Sequence, residues 1–125
     1  RLERPYGRSA VQARPTLQKI PNLWDFFYPI IIMYYFYVLY SQKDHRLYKG
    51  VTSDVNKRLE EHNSGRTRST KHRRPFVLLH YEAYPDKISA LKQEQWSKTL
   101  EGGARLKAKL IEMRLLDEGG KINKG

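Results

Sequence analysis

The sequence predicts a small α/β domain of the α+β kind, a three-stranded, largely antiparallel sheet flanked by three helices. Three observations predict it. Phe26–Tyr40 carries no charge and eight of its fifteen residues are aromatic, so its strand portion is apolar on both faces and belongs inside a sheet rather than at an edge. A five-residue polar link, Gln42–Arg46, joins it to a second short apolar run, which is the spacing of an antiparallel hairpin. The hydrophobic period then turns helical, returns to a strand, and ends in two further helices.

Taken in order, residues 1–32 are interrupted by Pro5, Pro15 and Pro21 and hold no sustained period. They read as an irregular basic N-terminal extension. A membrane span needs about 20 apolar residues. Asp25 and Pro29 bound the Phe26–Tyr40 run more tightly than that, so Pro29–Ile32 reads as an apolar lead-in and Tyr34–Tyr40 as the first strand. Leu47–Val51 is the second strand, and Gly50 inside it marks a place where another group comes close. Ser53 or Asp54 caps the first helix and Asn63–Ser64–Gly65 ends it. Val55 and Leu59 are set to face the sheet, with Arg58 and His62 bordering the same face at i, i+4.

Arg66–Arg74 is a basic loop between Gly65 and Pro75, and Phe76–Tyr81 is the third strand. Pro85–Asp86 starts a second helix running to about Leu100, with Ile88, Leu91, Trp96 and Leu100 as its expected buried arc. Gly102–Gly103 is read as a chain break. Ala104–Leu116 is then a third helix with Leu106, Leu110 and Met113 at i, i+4 and i+7. The expected organisation is an extension over 1–32, a domain over 33–118 and a frayed tail over 119–125.

The chain holds 24 Lys and Arg against 13 Asp and Glu, a net charge of +11, which favours a polyanionic partner. Residues 1–32 hold five basic and two acidic residues, and the remainder holds nineteen and eleven, so most of the positive field belongs to the domain. There is no cysteine, which excludes disulfides and thiolate metal sites and fits a reducing compartment. The expected location is cytoplasmic. In the basic loop, Arg66, Arg68, Lys71, Arg73 and Arg74 form a phosphate-tracking set with no acid among them.

Several segments fall in a telling order: Tyr35-Phe36-Tyr37, Tyr48-Lys49-Gly50, Gly50-Val51-Thr52-Ser53-Asp54, and Arg58-Leu59-Glu60-Glu61-His62-Asn63-Ser64-Gly65. Arg73-Arg74-Pro75-Phe76, Tyr81-Glu82-Ala83 and Ala90-Leu91-Lys92-Gln93-Glu94 follow. From about Met33 to Leu110 the set resembles the GIY-YIG nuclease superfamily, in particular its small stand-alone, excision-nuclease-domain-like members. Gly and Ile of the first motif are Tyr35 and Phe36 here, and the middle residue of the second is Lys49.

The resemblance implies a metal-dependent endonuclease that hydrolyses DNA phosphodiesters, selective for structure rather than sequence, in DNA repair or processing. It implies that Glu94 holds Mg²⁺ or Mn²⁺ with waters and phosphate oxygens, and that Arg58 pairs with the scissile phosphate. Tyr37 or Tyr48 would orient or deprotonate the attacking water. His62 is a second candidate because free imidazole titrates near neutrality. Taken singly, these residues have ordinary readings: an aromatic strand buries tyrosines, and Arg58 beside Glu61 is a common helix-surface pair. Their order along the chain is what sets them apart.

Many members carry an Asn after the metal-binding helix, and Glu101–Leu106 holds none. That departure motivates the alternative of a non-catalytic nucleic-acid-binding module on the same fold. A third reading uses Phe26–Tyr37 as a peripheral membrane insertion segment. The expected partner is DNA, with RNA also compatible, and the expected state is a monomer or weak dimer without integral membrane association.

Overall fold

The structure, a computed structural model, describes residues 33–123. The expected extension over 1–32, its apolar lead-in Pro29–Ile32 and the membrane-insertion segment up to Ile32 lie outside the described residues. No helix among the described residues is long and apolar enough to cross a membrane.

Strand β1 (Tyr34–Ser41) is the middle strand of a three-stranded antiparallel sheet. Strand β2 (Leu47–Thr52) pairs on one side and β3 (Phe76–Tyr84) on the other. A strand apolar on both faces can bury both only from the centre, and Tyr35 through Tyr40 are all buried. Ser41 shapes the turn into β2. Its Oγ accepts from the backbone N–H groups of Lys43 and Asp44 and donates to the Arg73 carbonyl.

The strand alternation splits the core in two. Phe36, Val38 and Tyr40 pack with Leu79, Leu106, Leu110 and Leu116. Tyr37 and Leu39 pack with Phe76, flanked by half-buried Tyr48 and Leu59. Helix α1 (Val55–Ser64) supplies Leu59. It starts on Asp54, whose side chain accepts from the Lys57 N–H, and closes on Gly65. The Asn63 amide both donates to and accepts from the Phe76 backbone, which ties α1 to the start of β3. A single 3-10 turn, Lys71–Arg73, interrupts the basic loop.

Helix α2 (Lys87–Ser97) starts on Asp86, which accepts from the Ser89 N–H. The buried arc expected from its large apolar residues is corrected. Ile88, Trp96 and Leu100 are 67%, 40% and 93% exposed, while Ala90 and Ser97 are buried. Ala90, Glu94 and Ser97 fall at i, i+4 and i+7 and form the inward stripe. Small side chains let the helix lie close, so the bulky residues a quarter-turn away are left outside.

Helix α3 (Leu100–Glu112) also corrects the sequence reading, which broke the chain at Gly102–Gly103. Thr99 caps this helix by accepting from the Gly102 N–H, and both glycines are helical. A Cβ at Gly102 would lie 1.9 Å from the Trp96 carbonyl oxygen. The glycine therefore permits contact between α2 and α3. Leu106 and Leu110 are buried as expected, each contributing roughly 1.5–3 kcal/mol of transfer free energy.

The tail expected to fray from Gly119 folds back instead over its described part. Leu116 bridges Ile122, and the Asn123 N–H reaches the Leu115 carbonyl. Asp117 organises this turn by accepting from the Gly119 and Lys121 N–H groups.

Candidate active site

Tyr37 stands at the centre of the sheet, 2% exposed, with Gly50 as its register partner on β2 and Tyr81 on β3. Its phenol lies over Gly50, where an added Cβ would meet Oη at 2.5 Å. The close approach marked by Gly50 in the sequence is thus to the Tyr37 ring. Oη is 3.1 Å from Nε2 of His62, which is fully buried on α1. On its other side, His62 Nδ1 is 2.8 Å from Thr70 Oγ1.

Burial pushes the Tyr37 phenol up to about 12; the Arg58 guanidinium beside it works the other way, and Tyr48 and Glu94 add to the rise. Burial, reinforced by the Arg58 charge, pushes His62 down to about 4. The expectation that His62 titrates near neutrality is corrected: desolvation disfavours the imidazolium, and its ring does not reach solvent.

Tyr48 is arranged differently. Its ring packs edge-on against His62 at 4.8 Å between centroids and lies 6.3 Å from the Tyr37 ring. It is half-buried, and its hydroxyl bonds to no other described residue. Arg58 holds Glu61 at 2.9 Å through Nη1. Its charge is favoured first by Glu61 and then by the nearby Tyr37 phenol.

Glu94 comes from α2. Its side chain is 18% exposed and Oε2 meets Lys98 Nζ at 3.1 Å. Oε1 has no partner among the described residues. Its charge adds to the rise of the Tyr37 pKa, so the fourth element bears electrostatically on the same phenol. No cluster of three or more metal-ligating side chains occurs among the described residues. One carboxylate with phenols nearby is a hard oxygen donor set, and it suits Mg²⁺ or Mn²⁺, which keep several waters and take phosphate oxygens.

The five loop cations divide. Arg66, Arg68 and Lys71 are exposed and their side chains make no ion pair or hydrogen bond among the described residues. Arg73 instead clamps Asp44 at 2.6 Å, reaches the Leu47 carbonyl and covers the Phe76 ring. That contact with Arg73 lowers the Asp44 carboxyl to about 2. Arg74 donates to the carbonyls of Lys71 and Asn63. Of the five expected to track phosphates, Arg73 and Arg74 are already engaged within the fold, holding the loop to the hairpin and to α1.

Two contributors escaped the sequence reading. Thr70 carries no signal beyond its place in a polar loop. Lys49 donates to the Ser97 carbonyl at 2.7 Å, so it ties β2 to the last turn of the helix that carries Glu94. The sequence marks Lys49 only as the middle residue of the second motif, not as this tie, and burial followed by the nearby Lys98 charge lowers its pKa. Asn123 lines a cavity of about 450 Å³ with Tyr40, His45 and Asp117, apart from the Tyr37 cluster.

Residues 33–105 match the GIY-YIG catalytic domain. A UPF0213 protein of Lactiplantibacillus plantarum is 44% identical over 78 residues, covering 59% of this chain and 75% of that protein. A UPF0213 protein of Staphylococcus haemolyticus is 38% identical over 82 residues, covering 65% of this chain and 96% of that one. The solution NMR structure of a UPF0213 protein from Bacillus halodurans is 35% identical, covers 66% of this chain and 85% of its own, and superposes with a TM-score of 0.40.

Proposed function

The chain belongs to the GIY-YIG catalytic-domain family, alongside the UPF0213 proteins, and from that premise we propose that it is a metal-dependent endonuclease hydrolysing phosphodiester bonds in DNA. The observation that supports the reading is that Tyr48, Arg58 and Glu94, each from a different element, all bear on the buried phenol of Tyr37.

Each residue has a role its surroundings support. Arg58 pairs with the scissile phosphate through the guanidinium edge that Glu61 leaves open, since planar donors match phosphate oxygens. Tyr48 orients the attacking water with a hydroxyl that no described residue occupies. Tyr37 is held in place by His62, and His62, being buried, acts on substrate only through Tyr37. Glu94 would hold Mg²⁺ or Mn²⁺ through its unpartnered Oε1, and the Lys98 ammonium on Oε2 is exposed. Such an ion, when bound, stabilises charge on the phosphate and the leaving oxygen. Arg66, Arg68 and Lys71 hold the DNA backbone. They read no bases, so selectivity is for structure rather than sequence. A monomeric or weakly dimeric cytoplasmic protein of DNA repair or processing fits these features.

The experiment is a nicking assay on supercoiled plasmid and a branched oligonucleotide, with Mg²⁺, Mn²⁺ or EDTA, comparing the wild type with Glu94→Gln. Metal-dependent cleavage lost in the variant, with folding intact, supports the reading. Equal cleavage by both rejects the site. The missing Asn favours a second reading, a module that binds nucleic acid without cutting. Salt-sensitive binding with no cleavage under any metal selects it.

A further inference from the structure

A line of three side chains runs from the candidate site to the basic loop. Tyr37 Oη lies 3.1 Å from His62 Nε2, His62 Nδ1 lies 2.8 Å from Thr70 Oγ1, and Thr70 Oγ1 lies 3.3 Å from the Thr67 carbonyl oxygen. The three residues are 2%, 0% and 1% exposed, so bulk water does not compete for these bonds.

The direction of the line follows from its last member. A carbonyl oxygen only accepts, so the single hydroxyl proton of Thr70 is given to Thr67. Thr70 must then accept from His62, which places a proton on Nδ1. A neutral imidazole carries one proton, so Nε2 is bare and accepts the Tyr37 O–H. Burial keeps the ring neutral. With its proton turned toward His62, the Tyr37 oxygen presents its lone pairs to Arg58 and the space beside Tyr48.

We propose that Thr70 is a positioning residue that fixes the Nδ1–H tautomer of His62 and, through it, the orientation of the Tyr37 hydroxyl. The Thr67 carbonyl that sets the direction lies between Arg66 and Arg68, two of the free loop cations. The loop that grips the DNA backbone is therefore the loop that sets the phenol. The tautomer assignment stands on geometry alone. Its kinetic consequence rests on the nuclease reading above.

The test uses the full chain as wild type, Thr70→Ser and Thr70→Val, with His62→Gln to assign the resonance. Long-range ¹H–¹⁵N spectra of the imidazoles report which ring nitrogen is protonated. The expected result is the Nδ1–H form in wild type and Thr70→Ser, and its loss in Thr70→Val. Single-turnover cleavage is expected to fall about tenfold or more in Thr70→Val, as misplacement of a reacting group does, with DNA affinity within about twofold. Thr70→Ser is expected to restore the rate. An Nε2–H tautomer in the wild type overturns the proposal, and so does an unchanged rate in a Thr70→Val protein that cleaves. If Thr70→Val does not fold, the wild-type and Thr70→Ser spectra decide the tautomer. If no variant cleaves DNA, the nuclease reading fails, and the spectra still decide the tautomer.

Discussion

The phenol of Tyr37 rests directly on Gly50. The two are register partners across β1 and β2, and a Cβ on Gly50 would stand 2.5 Å from Oη and 2.6 Å from Cζ of the tyrosine. Real Cβ atoms do not approach so closely, so Gly50→Ala forces the ring off His62. Stability should fall by about 1–3 kcal/mol through overpacking. Cleavage should fall about a hundredfold, the scale on which a misplacement of roughly 1 Å acts. Urea unfolding and single-turnover kinetics on the same preparation measure both.

The two tyrosines of the candidate site should separate by stability. Removing the Tyr48 hydroxyl strands no buried partner, so Tyr48→Phe is expected to unfold within about 0.5 kcal/mol of the wild type while losing at least about 10²-fold in cleavage. Tyr37→Phe leaves Nε2 of buried His62 without its hydrogen bond and should cost roughly 1–3 kcal/mol. Equal melting temperatures for the two variants would contradict this division.

Salt dependence should distinguish the loop cations. Each phosphate contact on duplex DNA contributes about 0.9 to the slope of log K against log salt. Replacing Arg66, Arg68 and Lys71 together with alanine should therefore flatten the slope by roughly 2.5–3 and leave unfolding nearly unchanged. Arg73→Ala should change that slope little. It breaks the Asp44 clamp and should destabilise by roughly 1.5–3 kcal/mol. Fluorescence anisotropy over a salt series, with thermal melts alongside, gives both readings.

Acid should weaken the fold through His62. Above about pH 6.5 the imidazole is neutral whether the chain is folded or not, and the folded state bears no penalty. As pH falls from 6.5 toward 4, the unfolded chain takes up a proton that the buried ring refuses. The unfolded state then binds more protons, so stability drops with falling pH, by up to roughly 3 kcal/mol near pH 4. In His62→Gln the decline over that window should be smaller. Parallel slopes for the two proteins would remove His62 as the cause.

The sheet was legible because its signal is carried by large residues. Tyr34–Tyr40 read as a central strand, and that strand is central. The helix starts at Ser53 or Asp54 and at Asp86 were legible because a short polar side chain ahead of a helical period has one efficient use, and the structure selects Asp54 for the first. The contact of α2 and α3 was not. It depends on Ala90, Ser97 and Gly102, which matter for the bulk they lack, while Ile88, Trp96 and Leu100 lie outside. A pattern that follows large apolar side chains follows the wrong face of such a helix. In the candidate site, Tyr37, Tyr48, Arg58 and Glu94 were singled out from their order along the chain. Thr70 was not, because its contact with His62 depends on how the loop turns. The division between free Arg66 and clamped Arg73 was hidden for the same reason, as cations of one loop look alike until their neighbours are known.

The central place of β1 also orders events on the ribosome. Its first neighbour, β2, follows within one hairpin, but its second, β3, begins only at Phe76. At roughly 5–20 residues per second, about 1–6 seconds pass before β3 is made, during which the most aromatic strand can pair along one flank only. An open, apolar strand edge recruits other chains. The length of the basic loop therefore sets the interval in which this strand edge is open, and closure of β3 on β1 ends it.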